Sequence, residues 1–208
     1  MRIRLISCLV VLLLFAFTMA RADIVYQVNV NTSSISGTAG SLDFNFNPGP
    51  LVSQAANLQI LNFTSDGALA GNCPCGTGDV SGQLPATLTF DNGTGFNDYF
   101  DGFTFGNAIS FEVSLYGPAL SPPYGTATSG STFVFSMFSD PAGTIPALTN
   151  DLVNGFAITV DINLDGTTTA ANFSSQTTVS PVPEPSTTLL VGPSLLGLAG
   201  ALRRRLRV

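Results

Sequence analysis

Ile109-Ser110-Phe111-Glu112-Val113-Ser114-Leu115 decides the fold: large apolar side chains alternate without a break with Ser, Glu and Ser. A period of two places alternate residues on opposite faces of an extended chain, so this segment reads as a strand with one face in a core. The same pattern recurs on both sides of it. Ile24, Tyr26, Val28 and Val30 alternate with Val25, Gln27 and Asn29, and Leu42, Phe44 and Phe46 with Asp43, Asn45 and Asn47. Leu58 and Ile60 continue the series, with an offset at Leu61 before Phe63. Phe133, Phe135 and Met137 follow, and then Phe156, Ile158, Val160, Ile162 and Leu164 against Ala157, Thr159, Asp161, Asn163 and Asp165. Gly, Pro, Asn and Asp clusters separate the runs at turn spacing, and no useful window has helical periodicity.

The expectation is an all-β domain over residues 23–174: an antiparallel β-sandwich, jelly-roll-like, of about nine to twelve short strands. The chain has 16 Phe, enough to fill the space between two sheets. No internal repeat of solenoid or propeller period is present.

Charge narrows the function classes. All 7 basic residues are Arg at the two ends, whereas all 13 acids lie between Asp23 and Leu202. That interval contains no Lys, Arg or His and carries a formal charge of −13. A nucleic-acid partner requires cations against its phosphates, so none is expected. Without His or Lys in that interval, Ser–His triads and Schiff-base chemistry are excluded there. A two-carboxylate glycosidase needs only acids. Yet the one Glu before residue 184 is Glu112, and no partner marks it. The domain is read as non-enzymatic.

Both termini read as targeting segments. Arg2 and Arg4 precede an apolar stretch from Leu5 to Met19, and Ala20-Arg21-Ala22 sets small residues before Asp23. This order is that of a secretory signal peptide, residues 1–22, cut by signal peptidase between Ala22 and Asp23. Residues 175–186, with Pro181, Pro183 and Pro185, read as an extended linker. An apolar run over 187–202 and an Arg-rich tail over 203–208 complete the chain. As a helix the run would extend roughly 24 Å at about 1.5 Å per residue. That is short of a ~30 Å hydrocarbon core, so it suits a provisional anchor.

Val182-Pro183-Glu184-Pro185-Ser186, the short apolar helix and the Arg cluster, in that order, resemble the PEP-CTERM sorting domain of Gram-negative bacteria. The resemblance covers about the last 27 residues. It implies recognition by an exosortase-like processing enzyme, transient residence in the inner membrane, and delivery to the envelope, outer surface or extracellular matrix. Members commonly accompany exopolysaccharide production, and the same tag is sometimes named an ice-binding protein C-terminal domain.

Three motifs between the termini carry candidate chemistry. Asp161-Ile-Asn163-Leu-Asp165-Gly166 matches the first half of a calcium loop. It lacks the closing Glu, since Asn172 stands at the twelfth position. The competing reading is a strand followed by a hairpin turn at Asp165-Gly166. Asp91 to Asp101, with Asp98 between, is the densest acidic and aromatic patch. It reads either as a cation-bridged sugar site with Tyr99 or Phe96 stacking on a ring, or as a polar turn with Phe100 anchored in the core. Cys73 and Cys75 are the cysteines remaining after signal cleavage and read as a disulfide staple, with free thiols or a metal or redox role as the alternatives. The Thr-rich segments 167–169 and 177–178 read as solvated β-edges. No cofactor is expected unless Ca²⁺ binds these aspartates. The functional expectation is surface adhesion or exopolysaccharide organisation, with a calcium-dependent carbohydrate-binding module as the alternative and a secreted glycosidase third.

Overall fold

A computed structural model describes residues 23–71, 75–121 and 125–183. Among them the chain forms thirteen strands: β1 (Ile24–Asn31), β2 (Ala39–Pro48), β3 (Asn57–Ser65), β4 (Ala68–Leu69), β5 (Gly76–Thr77), β6 (Val80–Gly82), β7 (Leu88–Asp91), β8 (Asp98–Thr104), β9 (Ala108–Tyr116), β10 (Ser131–Phe138), β11 (Phe156–Ile162), β12 (Thr168–Asn172) and β13 (Thr177–Pro181). That slightly exceeds the expected range, because β4, β5 and β6 have only two or three residues each and leave no readable alternation. The helices described are two 3-10 turns, Ser33–Ile35 and Pro118–Leu120. No described helix is long and apolar enough to cross a membrane. The signal helix expected in 1–22 and the hydrophobic helix expected in 187–202 lie outside the described residues.

The strands form two antiparallel sheets. One has the order β13-β1-β9-β3-β7-β6, and the other β12-β11-β10-β2-β8-β4 with β5 also paired to β8. Their apolar faces meet in one core. Phe44 and Phe135 come from one sheet and Phe111 from the other, with ring centroids 4.9 to 5.3 Å apart. Each such tilted or edge-to-face pair adds about 0.5–1.5 kcal/mol to simple burial. The alternation in Ile109–Leu115 is realised as read: Ile109, Phe111, Val113 and Leu115 are buried, and β9 pairs with β1 and β3 at the centre of its sheet.

The offset at Leu61 is a β-bulge. The β3–β9 register shifts between Leu61 and Thr64, and Asn62 takes a left-handed φ of 54°. One extra residue returns Phe63 to the core side. Asn tolerates that conformation better than a branched side chain would.

Two boundaries move. The apolar alternation was expected to continue through Leu164, but β11 ends at Ile162 and Leu164 is 49% exposed on the following turn. The linker was expected from residue 175, but Thr177–Pro181 pairs along β1, from Val30↔Thr177 to Tyr26↔Pro181. The backbone N–H of Val182 adds a bond to the Val25 carbonyl. β13 is polar because it covers an edge, and so lacks the apolar pattern that reveals inner strands.

Candidate functional site

The outer face of the β2–β8–β10–β11–β12 sheet is built from residues that alternate with the core positions. On β2 these are Asp43, Asn45 and Asn47, between buried Leu42, Phe44 and Phe46. Strand pairing extends them into cross-strand rows. One row is Asn47, Thr132, Asp161 and Thr169, and another is Asp98, Asn45, Val134, Thr159 and Ala171. Thr132 Oγ1 donates to Asp161 Oδ1 at 2.6 Å. The result is a largely polar face of carboxylates, amides and hydroxyls with no basic side chain in its strands.

Asp43 and Asp98 are diagonal neighbours on this face and share a hydrogen bond. Burial, followed by the bond and charge of Asp98, pushes the Asp43 carboxyl up to about 8. Burial also raises Asp98. Asn45 Nδ2 donates to Asp43 Oδ1 at 2.5 Å, while Asp98 Oδ1 is buried without a hydrogen-bond partner. The pair therefore holds one proton between two oxygens at neutral pH, because like charges this close resist joint ionisation. The 139–155 excursion packs on Phe100, the cross-strand partner of Asp43. A Cβ on Gly143 would come within 2.7 Å of that ring. Carboxyls that share a proton are too close for glycoside hydrolysis, where they stand roughly 5–9.5 Å apart.

At the end of the Thr132–Asp161 row lies an open cleft of about 320 Å³, lined by Gly49, Pro50, Ser129 to Thr132 and Asp161 to Leu164. Its hydroxyl, carboxylate and amide groups sit beside the apolar surfaces of Pro50 and Leu164. That mixture suits a hydroxyl-rich ligand.

The six residues considered for calcium are dispersed. Asp98 and Asp101 point to opposite faces of β8, and Asp101 is 1% exposed. Its Oδ1 accepts from the Gly71 N–H at 3.3 Å and its Oδ2 from the Tyr99 hydroxyl at 3.4 Å. Asp91 belongs to the other sheet, where its Oδ1 accepts from the Gly93 N–H and its Oδ2 from Asn57 Nδ2. Asp161 is held by Thr132. Asn163 donates to Thr167 and Thr169, and Asp165 accepts from the Thr167 N–H and hydroxyl in the β11–β12 turn. Those Thr167 bonds hold Asp165 below its ordinary carboxylate value. The motif at 161–166 is thus a strand end and hairpin turn, in which Asn163 and Asp165 meet at the Thr167 hydroxyl while Asp161 is bonded to Thr132. Among the described residues no group of three or more His, Cys, Asp or Glu is placed to hold a metal ion.

The aromatic expectation in this patch shifts by one residue. Tyr99 is the anchor, 1% exposed, with its hydroxyl accepting from the Leu84 N–H at 3.2 Å, so it cannot stack on a sugar. Phe100 lies on the outer face, and Phe96 is 56% exposed on the β7–β8 loop. Glu112 is on the outer face of the other sheet and accepts from Asn62 Nδ2 at 3.0 Å. Cys75 is disulfide-bonded, while Cys73 lies outside the described residues. Of the targeting residues, Asp23, Val182 and Pro183 are described; Ala20, Ala22, Glu184, Pro185 and Ser186 are not.

The Asp43–Asp98 pair was missed in the sequence. The period-two pattern puts Asp43 on an outer face, but only the pairing of β2 with β8 brings Asp98 to it. The chain matches no protein-family model, no curated protein and no solved structure.

Proposed function

We propose that the chain is an exported, non-enzymatic envelope or matrix protein. Signal peptidase removes residues 1–22, and an exosortase-like enzyme processes the PEP-CTERM-type tag after transient residence in the inner membrane. The observation that carries this reading is the order of three parts at the C-terminus: Val182-Pro183-Glu184-Pro185-Ser186, the apolar run and the Arg cluster. The position of the tag in the fold supports it. Sheet pairing ends with the Val182 N–H, so a cut in or after Pro183-Glu184-Pro185 would leave every strand of the domain intact. Intact mass of the protein from its host tests this, with Glu184→Ala as the comparison. Unchanged mass and location in that variant would remove the basis for sorting.

The β domain serves surface adhesion or exopolysaccharide organisation in this reading, and its fold is a jelly-roll. The order β1-β9-β3-β7 opposite β2-β8-β4 supports that assignment, with β10 to β12 and β13 added at one side. The cleft beside Thr132 and Asp161 favours a second reading, a carbohydrate-binding module gripping neutral sugar hydroxyls. A glycan screen with and without Ca²⁺ tests it. Binding that needs no Ca²⁺ and falls at least tenfold in Thr132→Val supports the cleft, and an empty screen removes it.

A further inference from the structure

β1 begins and β13 ends at the same end of the sandwich, because the two strands are antiparallel neighbours. That end also carries the β2–β3, β7–β8 and β11–β12 loops. Asn92 ties the β7–β8 loop to the β2–β3 loop and to the start of β10, accepting from the Ala56 N–H and donating to Ser131 Oγ. Leu51, Phe96 and Leu164 project from these loops, at 66%, 56% and 49% exposure. The opposite end has exposed apolar side chains too, Leu152 among them, so exposure does not distinguish the ends. The tether does. With β13 reaching Pro181 and Val182 bonded to Val25, only residues 184–186 separate the described domain from the apolar run that begins at Thr187. Four Cα steps from Pro183 to Thr187 reach about 14 Å at most. Ten-residue β2 alone is about 33 Å long, so the domain cannot stand with its far end down on a membrane that holds the run.

We infer that, while the C-terminal run is in the bilayer, the domain stands on the membrane with this loop end down, and Leu51, Phe96 and Leu164 contact a zwitterionic lipid surface. The inference rests on the proposed reading of residues 187–202 as a membrane segment. The lipid is zwitterionic because Asp23, Asp91 and Asp165 lie at this end with no described cation to offset them. An anionic surface would repel it. Exposed apolar loops beside a bilayer gain by burying part of their surface in the interface.

The chain contains no Trp, so a single introduced Trp reports one position. The full chain is reconstituted in phosphatidylcholine vesicles with brominated acyl chains, as Leu51→Trp, Phe96→Trp, Leu164→Trp, Leu152→Trp and Leu195→Trp. The expected result is strong quenching of Leu195→Trp, at least half that quenching for the three loop positions, and none for Leu152→Trp. Quenching of Leu195→Trp with loop positions no more quenched than Leu152→Trp overturns the docked orientation alone. An unquenched Leu195→Trp overturns the membrane reading of the tail, and the orientation with it.

Discussion

Replacing Asp43 by Asn should stabilise the domain at pH 7.5 and leave it nearly unchanged at pH 4. In the folded wild type Asp43 keeps its proton until about pH 8, whereas the unfolded chain releases it near 3.8. The folded state therefore binds more protons between these values. Its contribution to stability is complete below 3.8 and is lost as pH rises toward 8. At about 1.4 kcal/mol per pH unit, the loss by pH 7.5 has an upper bound of about 5 kcal/mol. Asp43 is only half-buried, and water at its exposed edge should reduce the measured effect to ~2–3 kcal/mol. Asn has the shape of the protonated acid: its Nδ2 can donate to Asp98 and its oxygen can still accept from Asn45. No proton is then needed. The gain should appear as a midpoint rise of about 5–10 °C at pH 7.5 for a domain of this size. Thermal and urea unfolding of wild type and Asp43→Asn at pH 4.0 and 7.5 provide the measurement. A variant no more stable than wild type at pH 7.5, or equally shifted at both pH values, refutes the shared-proton argument.

The wild-type pH profile should be a dome with its maximum near pH 4–5. Above it the Asp43 proton is lost; below it Asp66, Asp151 and Asp165, held low by bonds to Ala108 and Asn107, to Asn154 and to Thr167, lose that advantage on protonation. A monotonic profile from pH 3 to 8 would contradict it. Asn92→Ala removes side-chain bonds to the Ala56 N–H, the Gln54 carbonyl and Ser131 Oγ in a buried corner, so a loss of about 2–4 kcal/mol in urea unfolding is expected. Phe111→Ala empties the centre of the intersheet cluster and should cost about 3–5 kcal/mol by the same assay. A fragment ending at residue 174 should be markedly less stable than one ending at 183, because it strips β13 from β1 and exposes that edge.

What the sequence disclosed depended on whether an apolar side chain marked the position. β1, β2, β9, β10 and β11 each hold three or more core residues at period two, β3 holds Leu58 and Ile60, and even the bulge at Asn62 left its trace as a slipped alternation before Phe63. β12 and β13 hold Thr, Ser, Ala and Asn on sheet edges, where neither face requires a hydrophobic run. Their Thr residues did read as β-edge, but nothing local said that β13 closes over β1 from beyond the expected domain boundary. In Asp98–Asp101 the adjacent aromatics Tyr99 and Phe100 make either face a candidate core. Only the β2 register decides that Tyr99 and Asp101 turn inward and Asp98 outward. The acid pair is a contact between residues 43 and 98, and a single strand carries no record of its neighbour.

The lack of cations explains how the acids are distributed. With no Lys, Arg or His between Asp23 and Leu202, a carboxylate in this domain has three ways to avoid the cost of lost hydration. It can sit exposed and cap a turn, as Asp66, Asp151 and Asp165 do, and gain from local N–H and hydroxyl donors. It can accept from a hydroxyl, on the outer face as Asp161 does from Thr132 or in the interior as Asp101 does from Tyr99. Or it can keep its proton, as the Asp43–Asp98 pair does. Each leaves the outer sheet face supplied with neutral donors and acceptors but no fixed positive charge. An anionic polymer approaching that face meets a net charge of the same sign. A neutral, hydroxyl-rich one can exchange its water for Asn47, Thr132 and Asn163 without a charge penalty. Under the proposed carbohydrate-binding reading, that asymmetry favours a neutral polysaccharide over an anionic one.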